Sequence, residues 1–471
     1  MTPYQVARRT KPVLVLLLAI IAGRSIAQNN RHELSVRESV DYAMKNSAQV
    51  KNALIGILLQ EQTNKEITAS ALPLISGSVE GNYYPKVPVQ SFPNFISPAT
   101  YQVLIDEGVK DGSGNPIVMP GDFGFIQAPF GTKYTATAGI SLQQLLFDGQ
   151  VFIGLQAREA SIRYARSTAE VTQEQVKANI HKIYYQVVIG RRQMETIDAN
   201  IARSEKLLND TRALFQNGFA EKLDVDKVDV TLANLRTEHI KLENQLAVGL
   251  FGLKLLMGMP VKEELILTDT LSEEEIKANL LDTAYSYNDR KEFQQLTYAE
   301  QLGDFNVRRY QLSKLPTAAL IGNYAKLAQR NEFNFFDRDG EWFTTALVGV
   351  KISVPIFEGL AKNARIEKAR LELKQTKNNM EQLKLSIDNE VETARRNINS
   401  ALVSMDYQRR NMTLSENVYN QTKLKYEQGL GSNLEITTAQ TEMRTAQTNY
   451  YTSLYDAVIA RIDYLKATGK L

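Results

Sequence analysis

The sequence predicts a mainly α-helical protein with a small β part of membrane-crossing type: one duplicated unit, each copy holding a long antiparallel helical hairpin and two strands, four strands per chain. Three observations predict it. Two stretches, 130–259 and 356–471, contain no proline, although seven prolines crowd into residues 85–129. Proline removes a helix donor and clashes with the preceding turn, so each quiet stretch can be helix almost throughout. Landmarks of the first half return in the second. Ahead of each long helix the hydrophobic period falls from 3.5 residues to 2.

At the amino terminus Arg8, Arg9 and Lys11 precede an apolar run from Val13 to Ala22, and Ser25-Ile26-Ala27 offers small residues for cleavage. Residues 1–27 therefore read as a secretory signal peptide. The run is about half of the roughly 20 apolar residues that a membrane helix needs, and no later window approaches that length. Removing the peptide takes four basic residues and no acid, turning the net charge from +2 to −2, so nothing points to nucleic acid. The chain has no cysteine, which excludes disulfides, thiolate metal sites and a lipid-acylated anchor.

Residues 28–260 form the first repeat, with strands at about 74–84 and 134–144 and helices at about 150–216 and 222–258. Along the first strand Ile75, Gly77, Val79, Gly81 and Tyr83 oppose Ser76, Ser78, Glu80 and Asn82. Along the second, Tyr134, Ala136, Ala138, Ile140 and Leu142 oppose Thr135, Thr137, Gly139, Ser141 and Gln143. The loop between them, about 85–133, is rich in proline, glycine and aromatics and reads as facing outward, with Asp111-Gly-Ser-Gly-Asn115 as a plain turn.

A ladder at alternating spacings of four and three follows, through Val176, Ile180, Ile183, Val187, Gly190, Met194, Ile197, Ile201, Ser204, Leu208, Thr211 and Phe215. A mean spacing of 3.5 keeps one seam against a partner helix. The partner is the ladder from Val225 through Val228, Leu232, Leu235 and His239 to Leu246. Gly218 between them sits where a helix end needs a left-handed residue. The small and polar members of these seams suit helices around a wet interior better than a dry two-stranded zipper.

Residues 261–279 link the repeats, and 280–471 form the second, with strands at about 317–327 and 343–354 and helices at about 360–428 and 433–468. Phe215-Gln-Asn-Gly218 through Leu223-Asp-Val225 returns as Tyr426-Glu-Gln-Gly429 through Leu434-Glu-Ile436, an offset of 211. Gly139–Gly149 matches Gly349–Gly359 at 210, and Leu72-Pro73 matches Leu315-Pro316 at 243. Ser432-Asn-Leu-Glu435 reads as a capping box. Ala346, Val348, Val350, Ile352 and Val354 oppose Thr345, Leu347, Gly349, Lys351 and Ser353, whereas 318–327 alternates poorly and leaves its register open. Tyr83, Tyr84, Tyr134, Trp342 and Phe343 gather at the strand ends as an aromatic girdle would. Backbone groups in lipid must all be paired, and single-chain bacterial barrels have at least about eight strands, so four strands demand an oligomer. Two copies give eight strands and three give twelve.

Together these features resemble the TolC-like outer-membrane efflux protein family over nearly the whole mature chain. The likeness rests on Leu34-Ser-Val-Arg-Glu-Ser-Val-Asp-Tyr-Ala43, on Leu72-Pro73 and Leu315-Pro316 before a strand, and on Leu146-Phe-Asp-Gly149 and Val354-Pro-Ile-Phe-Glu-Gly359 entering the long helices, with the turns at Gly218 and Gly429. The resemblance implies a homotrimer in the outer membrane: a 12-strand β-barrel in lipid above an α-barrel of helical hairpins extending into the periplasm. It implies that the two turns meet a periplasmic adaptor (a membrane fusion protein) driven by an inner-membrane pump, with Gly218, Phe219, Leu223, Gly429, Leu430 and Leu434 as docking positions. Some family members narrow this end with aspartates. Here the corresponding stretch is Asn411-Met-Thr-Leu-Ser-Glu416, which leaves Arg409, Arg410, Glu416 and Glu427 as candidate gate residues.

The expected function is an outer-membrane channel of a tripartite efflux or type I secretion system, a passive conduit whose lumen carries Ser76, Ser78, Glu80, Thr135, Thr137, Ser141, Gln143 and Lys351. The alternative is a periplasmic coiled-coil adaptor or scaffold without a pore, which explains the hairpins but not the duplicated strands. His32, His181 and His239 stand apart, with no HExxH pair, P-loop or nucleophile elbow, so neither an enzyme nor a cofactor or metal site is expected.

Overall fold

A computed structural model describes residues 31–278 and 284–471. The expected signal peptide and the last residue of the expected linker lie outside them. The chain divides into two compact units, one of residues up to 62, 159–303 and 372–471, the other of residues 63–158 and 304–371.

The first unit opens with β1 (Arg31–Leu34), which pairs in parallel with β6 (Glu264–Leu267). Helix α1 (Val36–Asn46) starts on a reciprocal capping box: the Ser35 hydroxyl accepts from the Glu38 amide at 3.3 Å and the Glu38 carboxylate accepts from the Ser35 amide at 2.8 Å. Helix α2 (Ala48–Ala69) follows and runs on into the second unit. Most of the unit is four helices, α4 (Gly149–Gln216) with α5 (Lys222–Met257), and α8 (Ala361–Glu427) with α9 (Asn433–Ala467). At 1.5 Å per residue α4 and α8 are each about 100 Å long.

The 3.5-residue ladder is where these helices bury. Val176, Ile180, Val187, Ile197, Ser204, Leu208 and Thr211 of α4 are buried, as are Ile387, Val391, Ile398, Met405 and Tyr419 of α8. Gly190 lets α5 come close: a Cβ there would stand 2.6 Å from Leu246. At the β1–β6 pair, Tyr184 of α4 is fully buried, and its hydroxyl donates to the Leu34 carbonyl at 3.0 Å and accepts from the Asp269 amide at 3.1 Å. Burial pushes this phenol up to about 12. The segment between the repeats is structured, holding β6 and a short helix α6 (Glu273–Lys277). Buried Arg290 reaches Glu292 at 3.2 Å, Glu390 at 2.9 Å and the carbonyl of Ala467, the last residue of α9, at 3.2 Å.

The second unit carries one antiparallel sheet of four strands: β2 (Leu74–Tyr83), β5 (Tyr134–Phe147), β7 (Thr317–Arg330) and β8 (Phe343–Ser353), in that order. Helix α7 (Lys291–Leu312) leads into β7. The long first loop is itself folded, with β3 (Val89–Pro93) paired to β4 (Phe125–Pro129) and helix α3 (Ile96–Asp106) between them. Asn94 ties it together by accepting from the Ser97 amide at 3.0 Å and donating to the Phe123 carbonyl at 3.2 Å. Asp111 forms a plain turn, accepting from the amides of Ser113 and Asn115, both at 2.9 Å. Those two amides hold its carboxyl below the usual range.

Candidate functional site

Residues paired across an antiparallel ladder lie on the same face, so the register assigns every strand side chain to one of two surfaces. One face holds Ile75, Val79 and Tyr83 of β2, Ala136, Ala138, Ile140 and Leu142 of β5, Tyr324 of β7 and Val348, Val350 and Ile352 of β8. Val79 is 87% and Val348 80% exposed, so this is an uncovered apolar face rather than half of a core. The other face holds Ser76, Ser78, Glu80, Thr135, Thr137, Ser141, Gln143 and Lys351 together. The Ser76 and Ser141 hydroxyls meet across the ladder at 2.7 Å. Asn323, Gln329 and Thr345 join the polar face, and Leu74, Leu145, Ile321, Leu327, Phe343 and Leu347 interrupt it. β7 is small and mixed on both sides, so its alternation gave no signal for the first two.

The aromatic set divides. Tyr83 and Tyr134 pair across the ladder with rings stacked at 4.8 Å on the apolar face. Trp342 closes a shallow concavity of about 640 Å³ with Val79, Ala138, Ile140, Tyr324 and Lys326. One girdle member is corrected. Phe343 pairs with Leu327 and so belongs to the polar face. Tyr84 lies past the end of β2, its amide bonded to the Lys133 carbonyl at 2.7 Å. The apolar face also carries Lys326 and, in the Tyr83–Tyr134 row, Arg330.

Among the described residues no strand pairs with the outer edge of β2 or of β8. A row of free amides and carbonyls ten or more residues long is costly in lipid and is a template for another chain in water.

In the first unit, the two hairpin turns close in the same way. Gly218 (φ 80°) and Gly429 (φ 74°) are left-handed. The Phe219 amide reaches back to the Leu214 carbonyl at 2.8 Å and the Leu430 amide to the Lys425 carbonyl at 2.9 Å, the Schellman arrangement in both. The expected capping box at Ser432 forms by one half, its hydroxyl accepting from the Glu435 amide at 3.2 Å, while the reciprocal box stands at Glu221 and Asp224. Asn433 donates to the Asp224 carbonyl at 3.2 Å and so ties one hairpin to the other. Around them Phe219 is 82%, Leu430 76%, Leu434 65% and Leu223 56% exposed. A groove of about 1310 Å³ lies between the hairpins.

Of the four gate candidates, Glu416 is part of a network: its carboxylate accepts from Gln447 at 2.9 Å, and Gln447 accepts from Asn200 at 2.8 Å. This chain crosses α8, α9 and α4. Gln440 and Ser204 form a second buried polar contact beside it. Arg409 has a partner outside the hairpins. It lies roughly 27 Å along α8 from the turn and is bound to Glu273 of α6 at 2.8 Å, where Tyr450 also donates at 2.8 Å. Arg410 lies over the Tyr407 ring at 5.9 Å, and Glu427 faces Lys423 at 3.7 Å. Asn200 and Gln447 were missed because neither stands on the apolar ladder.

The histidines have separate surroundings. His32 meets Glu263 and His239 meets Asp198, both at 3.1 Å. Burial, with Lys177 and Arg461 nearby, pushes His181 down to about 4. Among the described residues no three His, Asp or Glu side chains gather as metal ligands.

Residues 126–259 and 290–470 match the family described as outer membrane efflux protein. The chain belongs to that family. It is 19% identical over 340 residues to the outer membrane protein TolC of Vibrio cholerae serotype O1, which covers 71% of this chain and 77% of that one. Its fold is similar to that of CusC, with a TM-score of 0.72 at 14% identity over 94% of this chain and 95% of the other. It is equally similar to the Campylobacter jejuni CmeC outer membrane channel, with a TM-score of 0.71 at 16% identity over 92% and 85% of the two chains. The chain is thus an outer-membrane efflux channel, and the poreless periplasmic scaffold is set aside.

Proposed function

We propose that three copies of the chain join β8 to β2 around a ring, giving a twelve-stranded barrel, and that the helical hairpins form a duct through the periplasm. The open-edged sheet carries this reading. Strands β2, β5, β7 and β8 alternate in direction, so β8 of one copy meets β2 of the next antiparallel, and no edge is left in lipid. The apolar face then meets lipid and the polar face lines a wet lumen of low specificity. Such a protein performs no bond chemistry and passes solutes handed to it.

The exposed apolar residues at the two turns support the second half of the reading: Phe219, Leu223, Leu430 and Leu434 dock a periplasmic adaptor, which in turn engages an inner-membrane pump. Single-channel recording in planar bilayers tests the conduit, with the mass of the detergent-solubilised particle giving three chains. A stable monomer free of detergent and lacking conductance refutes it. A photoreactive residue at Phe219 or Leu430 tests the docking, and crosslinks to no periplasmic protein from either position argue against it.

A further inference from the structure

The duplication extends to the strand register. Adding 243 to a β2 residue and 210 to a β5 residue converts every pair of the β2–β5 ladder into an observed pair of the β7–β8 ladder. Leu74–Gln143 becomes Thr317–Ser353, Ser76–Ser141 becomes Ala319–Lys351, and Tyr83–Tyr134 becomes Lys326–Thr344. The two repeats are therefore equivalent at the level of single residues. The chain also holds one joint between repeats, the β5–β7 ladder. In a ring, the joint between copies is the same joint, second strand of one repeat to first strand of the next.

Applying the same offsets to β5–β7 gives that joint its register. Ser141–Asn323 becomes Lys351 of one copy opposite Glu80 of the next. We propose that this ion pair forms across each seam on the polar face and sets the register between copies; the inference rests on the ring closure proposed above. Two further observations agree with it. Glu80 and Lys351 are the only charged residues on the polar face of the four strands, and they stand on its two open edges. Four neighbouring pairs also match in kind: Val350 meets Gly81, Ile352 meets Val79 and Val348 meets Tyr83 on the apolar side, while Ser353 meets Ser78 on the polar side. Pro85 and Pro355, which lack an amide donor, flank the two strands of the joint. A slip of two residues would leave both charges opposite neutral side chains, and a slip of one would turn apolar residues into the lumen.

The natural chain has no cysteine, so the test needs only two substitutions. Within one copy Glu80 and Lys351 are separated by β5 and β7 and by eight residues along the strands, roughly 30 Å at usual strand spacing and rise, which is beyond the reach of a disulfide. A Glu80→Cys/Lys351→Cys chain oxidised in the membrane is therefore expected to give a covalent trimer on a non-reducing gel. Glu80→Cys combined with Gly349→Cys or with Ser353→Cys should give much less. Stronger bonding from either offset pair overturns the register while leaving the ring intact. No bond from any of the three pairs overturns the ring and the register together. As a second measurement, Lys351→Glu places two carboxylates in opposition and should lower the temperature at which the detergent-resistant trimer dissociates, and adding Glu80→Lys should restore it. Failure of the double exchange to recover any of the loss also overturns the pairing.

Discussion

Replacing Gln447 with leucine cuts a side-chain network that joins α4, α8 and α9. Its amide links buried Asn200 to the Glu416 carboxylate, at 2.8 and 2.9 Å. The first bond is between neutral groups, worth about 1 kcal/mol net, and the second ends on a charge, worth about 2 kcal/mol. Asn200 is only 3% exposed, so water cannot replace its lost partner in the packed state. A total near 3 kcal/mol corresponds to roughly a hundredfold shift toward any arrangement in which α8 and α9 separate from α4 and Asn200 is wetted. Single-channel recording of Gln447→Leu in planar bilayers, beside its thermal unfolding, should therefore give a raised open fraction together with a lowered midpoint. The Asn200→Leu/Gln447→Leu double variant removes both partners of the neutral bond, and it should recover only the share due to unpaired Asn200, about 1 kcal/mol, while keeping the raised open fraction. A Gln447→Leu channel that loses stability yet conducts as the parent does would refute the argument, because the network would then only pack the helices.

Gly218→Ala and Gly429→Ala meet no neighbour within 4 Å and should each cost about 1 kcal/mol of backbone strain, whereas Gly258→Ala (φ 74°) sets a Cβ 2.4 Å from the Asn46 carbonyl oxygen and should prevent normal assembly of the β1–β6 region; limited proteolysis separates the two outcomes. His181 is pushed down from 6.5 to about 4, so the unfolded chain takes up the proton first as pH falls. Stability is full above pH 6.5 and is lost between about 6.5 and 4, by up to about 3 kcal/mol before solvent screening, and His181→Gln should flatten that part of the pH–melting curve. Arg290→Met leaves Glu292 and Glu390 without their cation and frees the Ala467 carbonyl, which should cost about 2–3 kcal/mol in urea unfolding.

Much of this fold is legible in the chain because its helices bury one narrow seam each. A ladder such as Val176, Ile180, Ile183 and Val187 is a local pattern, and nothing elsewhere in the chain can shift it. β2, β5 and β8 are legible for the same reason, since an apolar and a small polar face alternate at period 2. β7 is not, because Ala318, Ala319, Ala325 and Ala328 fit either face, and Lys326 and Arg330 sit on the apolar one, where long stems can carry a charge to the interface. The four-residue strands β1 and β6 are too short to carry a period, and their pairing brings together residues more than 230 positions apart. The Asn200–Gln447 bond is equally non-local, a separation of 247 residues that no window of sequence can contain.

The duplication changes what non-local means here. A contact between distant segments is normally invisible before folding, but in a repeated chain each such contact has a twin, and seeing one supplies the other. The β2–β5 and β7–β8 ladders are twins within the chain. Among the described residues the β5–β7 ladder has no twin, and both strands that its twin would use, β8 and β2, are the ones left bare. An edge strand in a membrane protein is stable only when paired, and in the proposed ring the missing partner comes from another copy. The repeat itself therefore specifies assembly. The same offsets that relate the halves of one chain prescribe how two chains meet, and a single pair of opposite charges, Glu80 and Lys351, distinguishes that register from its neighbours.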